Sequence, residues 1–288
     1  MRRKLIVFIG IFSIFFMLGF SKNQAGQSNI VNDLIIPAEF NIGKLDEEEE
    51  LIRKISYKKI KVNSLDDIFE TPKKEEELFV FSNVNVDLRK LPAEKRKEAF
   101  VNLLLPAINV VHEEIKTNKD IIGKLAVKSE LTEEEKAFAE GIFKKYKVTY
   151  GNWQELESKM VIYPASLILT QGAIESAWGT SRFFREANNI FGMWSTNPNE
   201  PRIAAKGVRA NGFVPHLRKY DTIKESVEDI VLTISRADAY KGVRKLLNED
   251  KPAKDVAYGL VKYSEEGEAY VRKVRKTLEI NEFYRYDS

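Results

Sequence analysis

Hydrophobic positions recur at helical spacing over most of this chain, and only one short stretch reads as a strand pair. From Leu91-Pro92-Ala93-Glu94, an entry with Pro in the first turn, Phe100, Leu103, Leu104, Ile108 and Val111 mark one helical face. The pattern resumes through Ile115, Ile122 and Leu125, with Pro106 predicted to kink or split it. Thr132-Glu133-Glu134-Glu135 is a capping box opening a helix with Phe138, Ile142 and Phe143 on one side. Asn152-Trp153-Gln154-Glu155 predicts another short helix. Pro164 opens a strongly apolar helix through Leu167, Ile168 and Leu169, with Gly179 as its predicted stop.

Beyond it the period changes. Lys206 to Val214 contains Asn211-Gly212 between two extended runs, which predicts a tight hairpin, and Pro215 predicts an edge strand or a late start. Helices return at Thr222-Ile223-Lys224-Glu225, a second capping box, and continue through Val227, Ile230, Val231 and Ile234. Gly242–Leu247 and Asp255–Val261 read as short helices and Tyr270–Leu278 as the last one. No repeat recurs at a fixed period. The expected body is α+β, predominantly α, with one small β element.

The N-terminal quarter differs. Arg2, Arg3 and Lys4 precede an apolar run from Leu5 to Phe20 that is short for a membrane span. Residues 1–25 therefore read as a secretory signal peptide, and the body is expected to be exported to the periplasm or cell envelope. Residues 26–78 carry the acid run Asp46–Glu50, the basic patch Lys58-Lys59-Ile60-Lys61 and the mixed run Lys73–Glu77. They read as a charged, poorly ordered connector with some scope for local structure around Leu51, Ile52, Ile55 and Ile60. Residues 79–160 are expected to form a helical N-terminal part, and residues 161–288 a second domain that holds the candidate chemistry described below.

Composition removes several chemistries. The formal net charge is +3, and residues 1–25 carry four bases and no acid, so the remainder stands at −1. That argues against a general nucleic-acid binder. With no cysteine there is no thiol nucleophile, disulfide framework or thiolate zinc site. The two histidines, His112 and His216, do not form an HExxH pair; His112 reads as a packed or surface imidazole and His216 as solvated or structural. No metal is expected.

The candidate chemistry lies between Pro164 and Trp194. Glu175 is the one acid on the apolar helix. A carboxyl desolvated there has a raised pKa and, still protonated near neutrality, can donate to a glycosidic oxygen. A structural acid paired with Arg182 or Arg185 is the equal alternative. Gly172 costs about 1 kcal/mol of helix stability relative to Ala, which implies close approach of another backbone or a ligand. Trp178, Phe191 and Trp194 suit sugar faces, or the core; Asn188 and Asn189 suit sugar hydroxyls, or turns.

The run Thr170–Gly179, TQGAIESAWG, followed by Asn188-Asn189-Ile190-Phe191-Gly192, resembles the glucosaminidase domain of glycoside hydrolase family 73, within it most closely the Bax-like branch. The similarity extends to Leu91–Phe100, Leu103–Pro106, Thr180–Phe183 and Tyr263–Arg272, and so covers roughly residue 79 to the C-terminus. It implies a lysozyme-like helical domain with a small β-hairpin lobe and an N-terminal helical extension. It further implies hydrolysis of β-1,4 bonds after N-acetylglucosamine in peptidoglycan glycan strands, without cofactor or metal. Glu175 takes the general-acid position. Gln171, Trp178, Asn189, Phe191 and Trp194 become substrate-binding or site-support candidates. The family's site tyrosine falls on Tyr263, with Tyr270 its rival.

One departure stands out. Many members carry a second carboxylate in the β-lobe, yet Pro201–Tyr220 contains no acid, and only Glu200, Asp221, Glu225 and Glu228 flank it. A flanking acid or the substrate's acetamido group would have to complete hydrolysis. The same gap keeps a muramidase or lytic transglycosylase, or a non-catalytic glycan-binding protein, in view.

Overall fold

The computed structural model describes residues 51–70, 77–82, 84–207, 212 and 214–287. The expected signal peptide, the acid run Asp46–Glu50 and most of the mixed run up to Glu77 lie outside the described residues. In chain order the elements are β1 (Lys58–Lys61), α1 (Asp66–Phe69), β2 (Phe79–Ser82), α2 (Ala93–Ala126), α3 (Glu133–Tyr146), α4 (Trp153–Lys159) and α5 (Ala165–Ser176). Then follow α6 (Arg182–Ala187), β3 (Arg202–Ala204), β4 (His216–Arg218), α7 (Ile223–Arg236), α8 (Lys241–Asn248), α9 (Ala253–Val256) and α10 (Glu268–Ile280). Short 3-10 turns at Ala257–Lys262 and Phe283–Tyr286 complete the described chain. The class is α+β and predominantly α, as expected.

The helix α5 runs through the centre. Its side chains are apolar or small on every face, and a helix apolar all round must be enclosed. Ten of its residues are buried; Ile174 and Glu175, at its C-terminal end, are the two that are not. Its hydroxyls are satisfied within the helix: Thr170 Oγ1 donates to the Ser166 carbonyl and Ser176 Oγ to that of Gly172, each at 2.6 Å. At the other end Asp287 accepts from Ser166 N at 2.8 Å and Ser166 Oγ at 2.6 Å, so the C-terminal tail closes over the helix start.

Gly172 is explained by packing. A Cβ there would lie 3.1 Å from Ile190 Cγ2 and Leu104 Cδ2 and 3.2 Å from Phe100 Cζ. What approaches so closely is side chains, two from α2 and that of Ile190 from the loop after α6. The helix does not stop at Gly179 alone: Ala177, Trp178 and Gly179 all have positive φ, at 51°, 60° and 73°. Two consecutive non-glycine residues in the left-handed region cost roughly 1–2 kcal/mol each. Ser176 Oγ accepts from Gly179 N at 2.9 Å and helps hold this turn. Glu175 therefore sits on the last turn of a helix whose exit path is fixed.

One expectation is corrected. Pro106 does not split α2, which runs unbroken from Ala93 to Ala126. β3 and β4 pair antiparallel on either side of Lys206–Val214, with Ala204 opposite His216. Asn211 and much of that loop lie outside the described residues. Pro215 precedes β4, consistent with a strand that starts late. The described part of the connector carries β1 and α1. β1 pairs with β2 in parallel, Lys58 opposite Phe79 through Lys61 opposite Ser82, and Val62 and Ile68 enter the main core.

Around α5 the core joins α2, α7, the β1–β2 pair and the C-terminal helices. A second cluster lies where the end of α2 meets α3 and α4. The Thr132 capping box is complete, with Glu135 Oε2 accepting from Thr132 N at 2.9 Å and Thr132 Oγ1 from Glu135 N at 3.2 Å.

The 3-10 turn Ala257–Lys262 fits against α8 with no room for a side chain at Gly259. A Cβ there would stand 2.7 Å from both Val243 Cγ2 and Val243 N. Because backbone cannot yield as a flexible side chain can, Gly259→Ala is expected to destabilise the protein by about 2 kcal/mol and lower Tm by roughly 4–8 °C. A thermal melt unchanged within a degree would contradict that packing.

Candidate active site

Glu175 meets α10 across the end of α5. The Tyr270 hydroxyl donates to Glu175 Oε1 at 2.9 Å. Behind Tyr270 the order of donors is fixed: Tyr163 donates to Gln171 Oε1 at 2.6 Å, and Gln171 Nε2 faces the Tyr270 hydroxyl oxygen at 3.4 Å. Tyr163, Gln171 and Tyr270 are fully buried. A buried amide has one carbonyl and one amino group to place, so the Tyr163 phenol turns the amino end of Gln171 toward Tyr270. The Tyr270 proton is thereby directed to Glu175, and Oε2 remains the oxygen that can carry the carboxyl proton.

Burial pushes the Glu175 carboxyl up to about 7. The Tyr270 hydrogen bond and the nearby Lys273 pull it down, and Glu266 pushes it up. The structural-acid alternative does not hold: among the described residues no base pairs with Glu175. Arg182 instead binds Glu186 at 3.0 Å and the Ala204 carbonyl at 2.5 Å.

The rival tyrosine, Tyr270, is hydrogen-bonded to Glu175. The Tyr263 ring stacks on that of Tyr270, with centroids 5.1 Å apart and planes 16° off parallel. It backs the Tyr270 ring and keeps it in place. Sequence alone could not separate the two, since both lie at the edge of a turn that becomes a helix; Tyr270 enters on the first turn of α10. Tyr163 and Gln171 form the layer beneath.

The expected substrate-binding residues divide. Gln171 is the buried amide just described. Asn189 is buried, with Nδ2 donating to the Met193 and Arg218 carbonyls at 2.9 and 2.8 Å and Oδ1 accepting from Met193 N at 2.9 Å. It ties the loop after α6 to β4. Phe191 lies in the core. Trp178 is half-buried, edge-on to Phe100 at 5.6 Å and against Phe283 at 5.9 Å, with Lys97 over its ring. Its indole therefore packs on α2 and the C-terminal tail. Trp194 is half-buried and bridges to Leu217 of β4, beside the loop Asn189 secures. Trp178 and Trp194 are thus the two with ring surface left to offer.

The flanking acids are mostly engaged elsewhere. Against the cost of burial, Lys145 and Lys224 hold Glu228 down to about 2. Glu225 caps the start of α7, accepting from Asp221 N at 2.9 Å, and Glu200 lies 3.5 Å from Arg218. Asp221 is exposed. His216 Nδ1 lies 3.0 Å from the Val214 carbonyl. His112 Nε2 lies 2.8 Å from the Tyr163 carbonyl, and burial lowers its pKa to about 4, a packed imidazole as expected.

Because the folded-state pKa of Glu175 is raised, ionising it costs stability that is intact below about pH 4.5 and lost as pH rises through about 7. Glu175→Gln keeps an acceptor for Tyr270 but removes the charge. It is expected to be more stable than the parent by roughly 2 kcal/mol above pH 7, discounting the shift for partial exposure, and equal to it near pH 4. Denaturant unfolding at both pH values checks this, and equal stabilities at pH 8 would contradict it. Tyr270→Phe should raise the carboxyl pKa further.

Known proteins share sequence with this chain. Residues 151–283 match the model of a protein family described as mannosyl-glycoprotein endo-beta-N-acetylglucosaminidase. Protein bax of Escherichia coli (strain K12) is 29% identical over 197 residues, covering 64% of this chain and 69% of that protein. Among solved structures, the catalytic domain of the autolysin Auto from Listeria monocytogenes is 20% identical with a TM-score of 0.37, over 60% of this chain and 97% of that one. The glycoside hydrolase domain of FlgJ from Salmonella typhimurium is 22% identical with a TM-score of 0.35, over 50% and 88%. The matched span contains α5, Glu175, Tyr263 and Tyr270. This chain carries a Bax-like glucosaminidase domain.

Proposed function

We propose that the protein is an endo-β-N-acetylglucosaminidase that hydrolyses β-1,4 bonds in peptidoglycan glycan strands, with Glu175 as the general acid. The observation that carries this reading is the Glu175 carboxyl, buried enough to hold its proton to about pH 7 and bound through Oε1 by Tyr270. A glycosidic oxygen leaves poorly as an alkoxide. Protonation by Oε2 as the C–O bond breaks lets it leave as a hydroxyl, and positive charge develops on the sugar. Water supplies the new hydroxyl at the anomeric carbon and its proton returns to the site. The family match supports a glycosidase. On this reading the first 25 residues export the protein and it works in the cell envelope. No helix among the described residues is long and apolar enough to cross a membrane.

A second reading, a lytic transglycosylase, is favoured by one observation: Glu200, Glu225 and Glu228 are engaged in contacts of their own. Such an enzyme needs one acid and yields anhydro ends.

The test is digestion of purified cell wall by the full chain and by Glu175→Gln, with products read by mass spectrometry. New reducing-end N-acetylglucosamine is expected from the parent, and about a 10²–10⁴-fold loss from the variant. Full activity in Glu175→Gln would overturn the assignment, and anhydromuramic ends would replace it with the second reading.

A further inference from the structure

Two charges on the α10 side of the site have no place in the mechanism above. Lys273 lies one turn after Tyr270 on α10, on the side of the helix that turns toward Glu175. Glu266 precedes the helix by two residues. The turn Ser264–Gly267 folds Glu266 back over the first turn of α10. Glu266 N donates to Ser264 Oγ at 3.2 Å and Gly267 N to the Ser264 carbonyl at 3.0 Å. Gly267 then takes φ 53° and ψ −122°, a conformation favouring glycine, and the helix begins. The result is a two-point clasp: Lys273 Nζ donates to Glu266 Oε1 at 2.9 Å and Oε2 at 2.7 Å.

The pair sits where its two charges act on Glu175 in opposite senses. The remaining titratable neighbours facing that carboxyl are Tyr270 on α10 and Tyr263 at the end of the preceding 3-10 turn, both buried phenols held well above their ordinary range and so uncharged across the working pH. On α5 itself Gln171, one turn before Glu175, is a neutral amide. Lys273 and Glu266 are thus the charges that act on Glu175 from this side. Both are partly exposed, at 45% and 25% of the side chain, so substitution opens no core.

Resting on the reading of Glu175 as the proton donor, we propose that Glu266 is a positioning residue. By holding Lys273 in a two-point ion pair, it keeps that ammonium from drawing close to Glu175 and stripping it of its proton. A lysine without this partner, on a flexible four-carbon stem one turn beyond Tyr270, is free to turn toward Glu175, on which its charge acts. An acid so paired would stay ionised and could not donate. The clasp therefore keeps the ammonium from neutralising the catalytic acid.

The test reads Glu175 directly, in the full chain without substrate, by ¹³C NMR titration of the glutamate side-chain carboxyls, with Glu175→Gln identifying the signal. Glu266→Gln is expected to lower the Glu175 midpoint by about 0.5–1 pH unit and Lys273→Gln to raise it by a similar amount. Glu266→Asp should restore most of the parent value. In wall digestion the basic limb of the pH–rate profile should shift with each midpoint, leaving the plateau at lower pH unchanged within about twofold. Midpoints unmoved in both variants would overturn the proposal. So would Glu266→Gln removing turnover at every pH with the Glu175 midpoint unmoved, which would make Glu266 a catalytic base. Because the titration needs no turnover, a protein inactive on cell wall would sink the functional reading while leaving the clasp to be judged on the midpoints alone.

Discussion

The hydrogen bond from Tyr270 to Glu175 depends on the enclosure of α5. A helix apolar on all sides can exist only inside a core, and enclosing it leaves one acid at its mouth. Desolvation then does what no nearby charge is needed to do, raising the carboxyl toward neutrality. The same enclosure places Tyr163 and Gln171 where they can fix the direction of the Tyr270 hydroxyl. Packing, polarity and acidity at this site have one physical origin.

The rest of the molecule serves that enclosure. The α2 face admits α5 closely because Gly172 has no side chain, and the left-handed turn at Ala177 and Trp178 ends the helix directly after the acid. The C-terminal tail returns to bind the helix start through Asp287. Even the β1–β2 pair, from a segment rich in charge, contributes Val62, Val80 and Phe81 to the same core. Such strain at Ala177 and Trp178 persists only where the surroundings determine it, and here it lies beside the candidate acid.

Much of this was legible in the sequence, for physical reasons. Helices with period-3.6 apolar faces and capping boxes announce themselves locally, and Thr132, Asn152 and Thr222 all cap as read. Glu175 stood out because an acid on an apolar helix is costly. What remained hidden was non-local. Parallel pairing of Lys58–Lys61 with Phe79–Ser82 joins segments eighteen residues apart and leaves no local signature in a charged stretch. Asn189 and Gln171 looked like ligands for sugar because an amide's partners cannot be read from its own neighbours in sequence. Tyr270 could not be preferred over Tyr263 until the direction of α10 was known, and Glu266 was invisible as a neighbour of Glu175 for the same reason.

The central claim is that Glu175 holds its proton in the free protein at the pH where the enzyme works. Its most direct measurement sets the NMR midpoint of the Glu175 carboxyl beside the basic limb of kcat/KM on cell wall. The account predicts that the two coincide near pH 7. A Glu175 midpoint between about 4 and 5, the range of an ordinary glutamate, would contradict it.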